Sequence, residues 1–433
     1  MEKNHYKERT LKILMLAYEC NPNWPSLPVV AYKYALAMGE EVEVTLVTQV
    51  LNKENIDKAG HGKVNFDFID VDFISKPFDR FGKFIRGGNS LGWTTQVIFT
   101  YPGYLAFEMA VWFKYRKQIK SGEFAVVHRQ TPMTQTLPSF IAGRTKNFII
   151  GPLNGGLPWP PQFKSMGSRE KEWFRPLRNL AKFMPFYQST YRKAACILAS
   201  FKHTIEDLPK HCQEKIIDFP EVGLDPKIFS RQDKEIQVSK PITVIFVGRL
   251  VPLKLPEVVL NAFANSTILQ QHKLVYVGDG PMRPELEKIV EEKNLHHCVS
   301  VKGWMAQSEV GQLMNESDIF VFPSVKDLGA GVLVEAMASG LACIGLDYGA
   351  ASTIINEERG LKVPLGSREE ITASYQTAME NLVEKPDELV AIRKKAREFA
   401  LENFTWAAKV KKTIEIYKWL KEDGDIKTRP KFW

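Results

Sequence analysis

Short apolar runs bounded by turn residues recur along the chain, and between them the apolar positions follow a helical period. Residues 11–17 (LKILMLA) are apolar on both faces of an extended segment, which predicts a buried strand of a parallel sheet. Residues 42–48, 64–71, 123–128, 148–151, 195–200 and 216–222 continue the strand pattern, with helical segments such as 29–38 between them. A polar, charged run at 227–240 then interrupts, and the alternation restarts with 242–247, 274–277, 299–301 and 319–322. Strands alternating with helices predict parallel sheets. The expected class is therefore α/β with two Rossmann-like domains, at 1–226 and 241–405, joined by a linker at 227–240.

A length of 433 residues agrees with two cores of about 200 residues each. Charge is uneven: residues 1–220 hold 30 Lys plus Arg against 20 Asp plus Glu, and the remainder holds 28 against 30, so the first half carries all of the positive excess. A basic half suits an anionic membrane surface or an acidic acceptor. Nucleic acid is not expected, because no nucleic-acid-binding motif accompanies the charge. Residues 157–192 interleave Trp159, Phe163, Trp173, Phe174, Phe183, Phe186 and Tyr187 with lysine and arginine. That pattern fits a helix covering the sheet with solvated cations, or a helix lying on an anionic membrane. Residues 91–113 are apolar but contain Gln96, Pro102, Gly103 and Glu108, which argues against a spanning helix. The start, MEKNHYKERT, does not read as a signal peptide. Five cysteines without paired spacing argue for a reducing compartment and against a zinc site; His296, His297 and Cys298 are adjacent and cannot all face one ion. The expected location is cytoplasmic, with peripheral contact at the inner membrane surface as an extension.

Candidate chemistry concentrates in 319–345. A strand runs into a turn with Gly329 and Gly331 and then into a helical pattern from Val332, closed by Gly340. The first helical turn leaves amides unpaired and carries the positive dipole end, so it can hold a phosphate, and glycines permit close approach. Asp327 and Glu335, eight residues apart, bracket that turn. Carboxylates beside an anion site suit hydroxyl groups carried next to the phosphate, as in a nucleotide sugar. Alternatively, Asp327 caps the helix and Glu335 is an exposed helix residue. Earlier, the strand at 242–247 leads to Arg249 and Lys254, two cations five residues apart, which are diphosphate ligands or surface charges. In the first half, His128 ends a strand and Arg129 follows it, on the rim where open α/β sheets bind ligands. The loop at 18–28 has Pro22, Pro25 and Pro28 and no glycine, which predicts a backbone without positive φ angles.

These motifs together resemble glycosyltransferase family 4, the retaining GT-B enzymes. Their donor signature reads Glu-Gly-Phe-Gly, an apolar run, then Glu-Ala-Met-Ala-x-Gly; here Glu335 to Gly340 matches, Asp327 stands for the first Glu, and the glycines shift to Gly329 and Gly331. Gly248-Arg249-Leu250 followed by Lys254 also matches, with Leu255 in place of glycine, and Asp347-Tyr348-Gly349-Ala350 keeps most of Asp-x-Gly-Gly. The resemblance implies a GT-B fold with two domains facing across a cleft, and a final helix (406–433) packing back on the first domain. It implies transfer of a hexose from a nucleoside diphosphate sugar, UDP-sugar favoured and GDP-sugar allowed, to a hydroxyl of a glycan, lipid or small-molecule acceptor with retention. Arg249, Lys254 and the amides of Gly331 and Val332 would bind the diphosphate. Glu335 would accept from the ribose, and the backbone at Met305 would hold the base. Asp327 with the amides of Gly329 and Ala330 would contact the sugar, as would His128 from the first domain, and neither cofactor nor metal is required. Trp24, Ser26, Arg129, Asn154 and Gly155 are the acceptor-side candidates, although Trp24 also fits simple packing over its loop. A sugar-nucleotide epimerase or hydrolase, or a non-catalytic scaffold on the same architecture, stays open.

Overall fold

The computed structural model describes residues 11–85, 93–169, 181–230, 241–422 and 424–431. The end of the expected linker (231–240) and residues 170–180, with Trp173 and Phe174, lie outside the described residues. Seven strands build the first sheet: β1 (Lys12–Ala17), β2 (Glu43–Gln49), β3 (Asn65–Ile69), β4 (Val126–Thr131), β5 (Phe148–Leu153), β6 (Cys196–Ala199) and β7 (Ile216–Asp218). Their order is β3-β2-β1-β4-β5-β6-β7, all parallel. The second sheet has six: β8 (Thr243–Val247), β9 (Lys273–Val277), β10 (Val299–Val301), β11 (Ile319–Phe322), β12 (Ala342–Leu346) and β13 (Gly360–Val363). They run β10-β9-β8-β11-β12-β13, again parallel. Helices on both faces explain why the strands read as continuous apolar runs: in β1 the last five residues are buried.

In each sheet the chain order reverses once, between β1 and β4 and between β8 and β11. In open α/β sheets such a reversal, at the carboxyl ends of the strands, is where ligands bind. Local signals set the flanking elements: Pro256 and Pro386 start helices at a position where no amide is needed, and Ser367 caps a helix reciprocally with Glu370.

Two of the crossings between the domains, at Leu224 and at Thr405, lie side by side. Leu224 bridges to Thr405 and donates its amide to Phe404 O (2.8 Å), and a Cβ on Gly223 would collide with the Trp406 ring. Beyond this point the helix Trp406–Glu422 packs on the first domain, burying Val410, Ile416, Tyr417 and Leu420 in that domain's core. Tyr34 and Thr413 share a hydroxyl contact at 2.5 Å within this packing.

Residues 157–192 do not form one amphipathic helix. Trp159 and Phe163 leave the first domain and enter the core of the second; Lys326 lies over the Trp159 ring at 4.5 Å, and the Tyr348 hydroxyl donates to Pro158 O at 2.5 Å. After the short helix Lys164–Arg169, the chain returns to the first domain as Tyr187–Lys193, whose Tyr187 and Tyr191 are buried there. Phe183, between them, is 85% exposed.

Candidate functional site

The second domain's crevice is built by neighbouring strands. β8 pairs with β11, so their exit loops touch: Val325 donates its amide to Leu253 O at 3.0 Å. The loop after β8 tightens into a turn at Pro252–Lys254, and Leu255 follows in the left-handed region with φ 43°. Glycine adopts that conformation freely and leucine at a penalty of about 1–2 kcal/mol, here accompanied by full burial of the side chain. Lys254 Nζ forms an ion pair with Asp327 Oδ2 and lies 5.0 Å from the Phe322 ring centroid. Asp327 Oδ1 accepts the Ala330 amide at 2.8 Å. Asp327 thus holds the turn before the helix Gly331–Ala338, close to the capping role weighed from the sequence, and it also pairs with Lys254, a contact the sequence did not suggest. Ala330, at φ 49°, has its amide committed to Asp327 and not to a sugar. The next amides, Gly331 and Val332, begin the helix and have no acceptor within it.

Arg249 is exposed on the same rim, and Met305 is partly buried between β10 and the helix Gln307–Asn315. Glu335, one turn inside its helix, accepts from Gln307 Nε2 at 3.3 Å. Burial pushes its carboxyl up to about 7, opposed by Lys33 on the first domain's helix Leu27–Glu41 and by Gln307. Lys33 is thus within electrostatic reach of Glu335, a relation between residues 302 positions apart that no local pattern shows.

First-domain candidates fare differently. β4 runs to Thr131, three residues past the expected end, so His128 sits inside the strand with no exposed surface. Its Nε2 donates to Gly151 O at 2.7 Å, so Nδ1 accepts from the Tyr417 hydroxyl at 2.6 Å. Both nitrogens are taken, and the histidine fastens the crossing helix to the sheet instead of facing the cleft. Burial, with Arg129 adding to it, lowers its pKa to about 4 against the raising effect of the Gly151 carbonyl. The unfolded imidazole takes a proton below about 6.5 and the folded one only below about 4, so this stabilisation is present above 6.5 and is lost as pH falls through that window. Urea midpoints are expected to fall more steeply between pH 7 and 4.5 in the native chain than in His128→Gln; parallel slopes would remove the assignment.

Arg129 is likewise sealed in. It donates to the carbonyls of Leu137, Pro132 and Thr134 and stacks 5.8 Å from the Tyr104 ring centroid, so it braces a turn and is not open to an acceptor. Trp24 and Ser26 are exposed on the loop after β1. Ser26 has φ 71°, so the proline-rich loop does reach a positive φ, through serine, where none was expected. Gly155 approaches Gln135 closely, and Thr204 Oγ1 donates to its carbonyl at 2.9 Å. Asn154 donates from Nδ2 to Glu221, a residue that sequence reasoning passed over. His296 pairs with Glu291 at 2.7 Å while His297 bonds Asn294 O, so these side chains diverge. All five cysteines are free and buried. No helix of the described residues is long and apolar enough to cross a membrane.

Residues 228–399 match the family model of glycosyl transferases group 1. A D-inositol 3-phosphate glycosyltransferase of Rhodococcus jostii is 29% identical over 206 residues, covering 46% of this chain and 42% of that protein. An N-acetylgalactosaminyltransferase of Campylobacter jejuni that acts on a diphospho-undecaprenol-linked sugar is 27% identical, over 44% of this chain and 52% of its own. The matches thus span about half the length of these curated relatives. Over nearly the whole chain the fold is that of solved GT-B structures. Sucrose-phosphate synthase from Thermosynechococcus elongatus superposes with TM-score 0.60 at 17% identity, over 95% of this chain and 99% of that one. Anabaena HepE in complex with UDP gives 0.60 at 15%, over 94% and 99%.

Proposed function

We propose that this chain, with a second domain matching the group 1 glycosyl transferases on a GT-B fold, moves a hexose from a nucleoside diphosphate sugar to an acceptor hydroxyl with retention. One observation carries the proposal: Lys254 meets Asp327 beside the amino end of the helix Gly331–Ala338 at the strand reversal between β8 and β11, and Arg249 stands exposed on the loop leaving β8. Two cations and a helix dipole in one crevice suit a pyrophosphate. UDP is favoured over GDP, since solved neighbours such as HepE hold UDP.

In this scheme the diphosphate draws the Lys254 ammonium away from Asp327 and binds the amides of Gly331 and Val332. Released from its ion pair, the Asp327 carboxylate is available to the hydroxyls of the hexose. Glu335 accepts from the ribose hydroxyls. The acceptor oxygen then bonds to the anomeric carbon on the face from which the phosphate oxygen departs, and its proton passes to that phosphate oxygen. Arg249 and Lys254 neutralise the charge that develops on the leaving diphosphate, so no metal is needed. His128, enclosed beneath the crossing helix, takes no part. Acceptor contacts fall to the exposed loop carrying Trp24 and Ser26 and to the rim at Gly155, with Asn154 turned to Glu221. The acceptor is a glycan, lipid or small molecule, reached in the cytoplasm or, through the basic first domain with its exposed Phe73 and Phe183, at an anionic membrane surface.

Thermal unfolding in the presence of UDP-glucose, UDP-N-acetylglucosamine and GDP-mannose tests the donor, because a ligand bound only to the folded state raises the transition with its concentration. One sugar nucleotide is expected to do so, and the same preparation is expected to float with phosphatidylglycerol vesicles. No shift with any donor refutes the donor assignment, and no flotation refutes the membrane contact.

A further inference from the structure

The loop leaving β7 carries a carboxylate that the scheme above does not use. Glu221 is 4% exposed; its Oε1 accepts from Asn154 Nδ2 and lies so close to Gly329 that a Cβ there would collide with it. The neighbouring Val222 side chain would lie 3.8 Å from a Cβ on Gly331. Three loops therefore meet at one point: the rim after β5, the loop after β7 and the donor loop after β11. Gly329 is glycine because a carboxylate from the other domain occupies the space of its side chain.

Two oxygens at this junction have no hydrogen-bond partner although both are shielded from solvent, Glu221 Oε2 and Asn154 Oδ1. A buried polar atom without a partner is destabilising by about 1–3 kcal/mol, and such atoms call for an explanation. Because Asn154 uses its amino group on Glu221, its oxygen is the atom left over. Asn154 Oδ1 is an acceptor, and so is Glu221 Oε2 in its ionised form, so a group that completes them there must bring hydrogen-bond donors. A phosphate brings none. The nearby cation, Lys409, is engaged elsewhere, donating to Pro220 O and lying 4.0 Å from the Phe219 ring centroid. A neutral polyol supplies adjacent hydroxyls beside a diphosphate site. Burial raises the Glu221 carboxyl to about 7, against the lowering effects of its own amide, Asn154 and Lys409, while the Asp327 carboxylate raises it further. That last effect places Glu221 within electrostatic reach of the donor loop's own acid.

We propose that Asn154 and Glu221 form a hydroxyl-reading subsite for the hexose of the sugar nucleotide, set between the first domain's rim and the donor loop. The subsite rests on the donor assignment made above. Through it the first domain tests the sugar, while the second domain holds the diphosphate.

Calorimetric titration of the full chain separates these contributions. The wild type, Glu221→Gln and Asn154→Ala are titrated with the sugar nucleotide that the wild type binds and with the matching UDP or GDP. Glu221→Gln keeps shape but replaces an accepting oxygen with a donating amide. Both variants are expected to bind the free nucleotide within about twofold of wild type, which also reports that they fold, and to bind the sugar nucleotide at least about tenfold more weakly. Unchanged affinity for the sugar nucleotide, or equal losses for both ligands, overturns the subsite. A wild type that binds no sugar nucleotide overturns the donor assignment and the subsite with it, a pattern distinct from normal wild-type binding with unaffected variants.

Discussion

Lys254→Ala is expected to lower the rate of sugar transfer by about 10²–10³-fold at saturating donor, the magnitude seen when a preorganised group facing developing charge is removed. Two effects act together. The leaving diphosphate loses a cation held in a crevice where the lysine side chain is only 14% exposed, and Asp327 is left without its ion-pair partner. Lys254→Arg is not expected to restore the rate, because the larger planar guanidinium does not fit the partly buried position that the compact ammonium takes against Asp327. Initial rates of product formation, with nucleotide affinity measured in parallel, check this. A Lys254→Ala protein with near wild-type turnover would remove the diphosphate assignment.

The largest effect on stability is expected at Arg393, which never touches a substrate. Its guanidinium is fully buried and pairs with Asp318 Oδ1 at 2.6 Å while donating to the carbonyls of Gly340 (2.6 Å) and Ser317 (3.3 Å). It thereby ties the helix Pro386–Phe404 to the end of the donor helix and to the start of β11. Asp318 Oδ2 also accepts the amide of Thr243, the first residue of β8. Arg393→Met fills similar volume but leaves Asp318 buried without its cation, and breaking a buried pair this way is destabilising by about 3–5 kcal/mol. Urea unfolding followed by circular dichroism measures it. A loss under about 1 kcal/mol would mean that the pair is not stabilising in the folded chain.

How much of this was legible in the sequence depended on the distance along the chain over which each feature is built. The strand, turn and helix of the candidate site were legible. Strand, turn and helix between 319 and 340 are consecutive, so Asp327, Gly331 and Glu335 read directly, and the cations at 249 and 254 stand at the end of an obvious apolar run. The strands β12 and β13 escaped notice because each includes a glycine, Gly345 in ACIGL and Gly360 in GLKV, which breaks the apolar run that marks a buried strand. His128 and Arg129 were misplaced for a definite reason. The apolar run stops at residue 127, yet the strand continues through polar residues whose side chains find partners inside the protein, one of them Tyr417, 289 positions away. The Trp159 strap and the Asn154–Glu221–Gly329 junction had no local signature either.

Periodicity, turn chemistry and motif spacing act over a few residues, so the alternation of strands and helices, the two-domain class and the strand–turn–helix at 319–340 follow from the amino-acid order. Which polar residues reach the surface and which brace the core follows instead from the assembled fold. That outcome depends on what packs above each strand end, and the packing elements, the crossing helix after Thr405 and the strap at Trp159, come from distant parts of the chain. Burial and pairing are properties of the assembled fold, so a histidine that reads as a cleft residue becomes a fastening, and a glutamate without a motif closes the site.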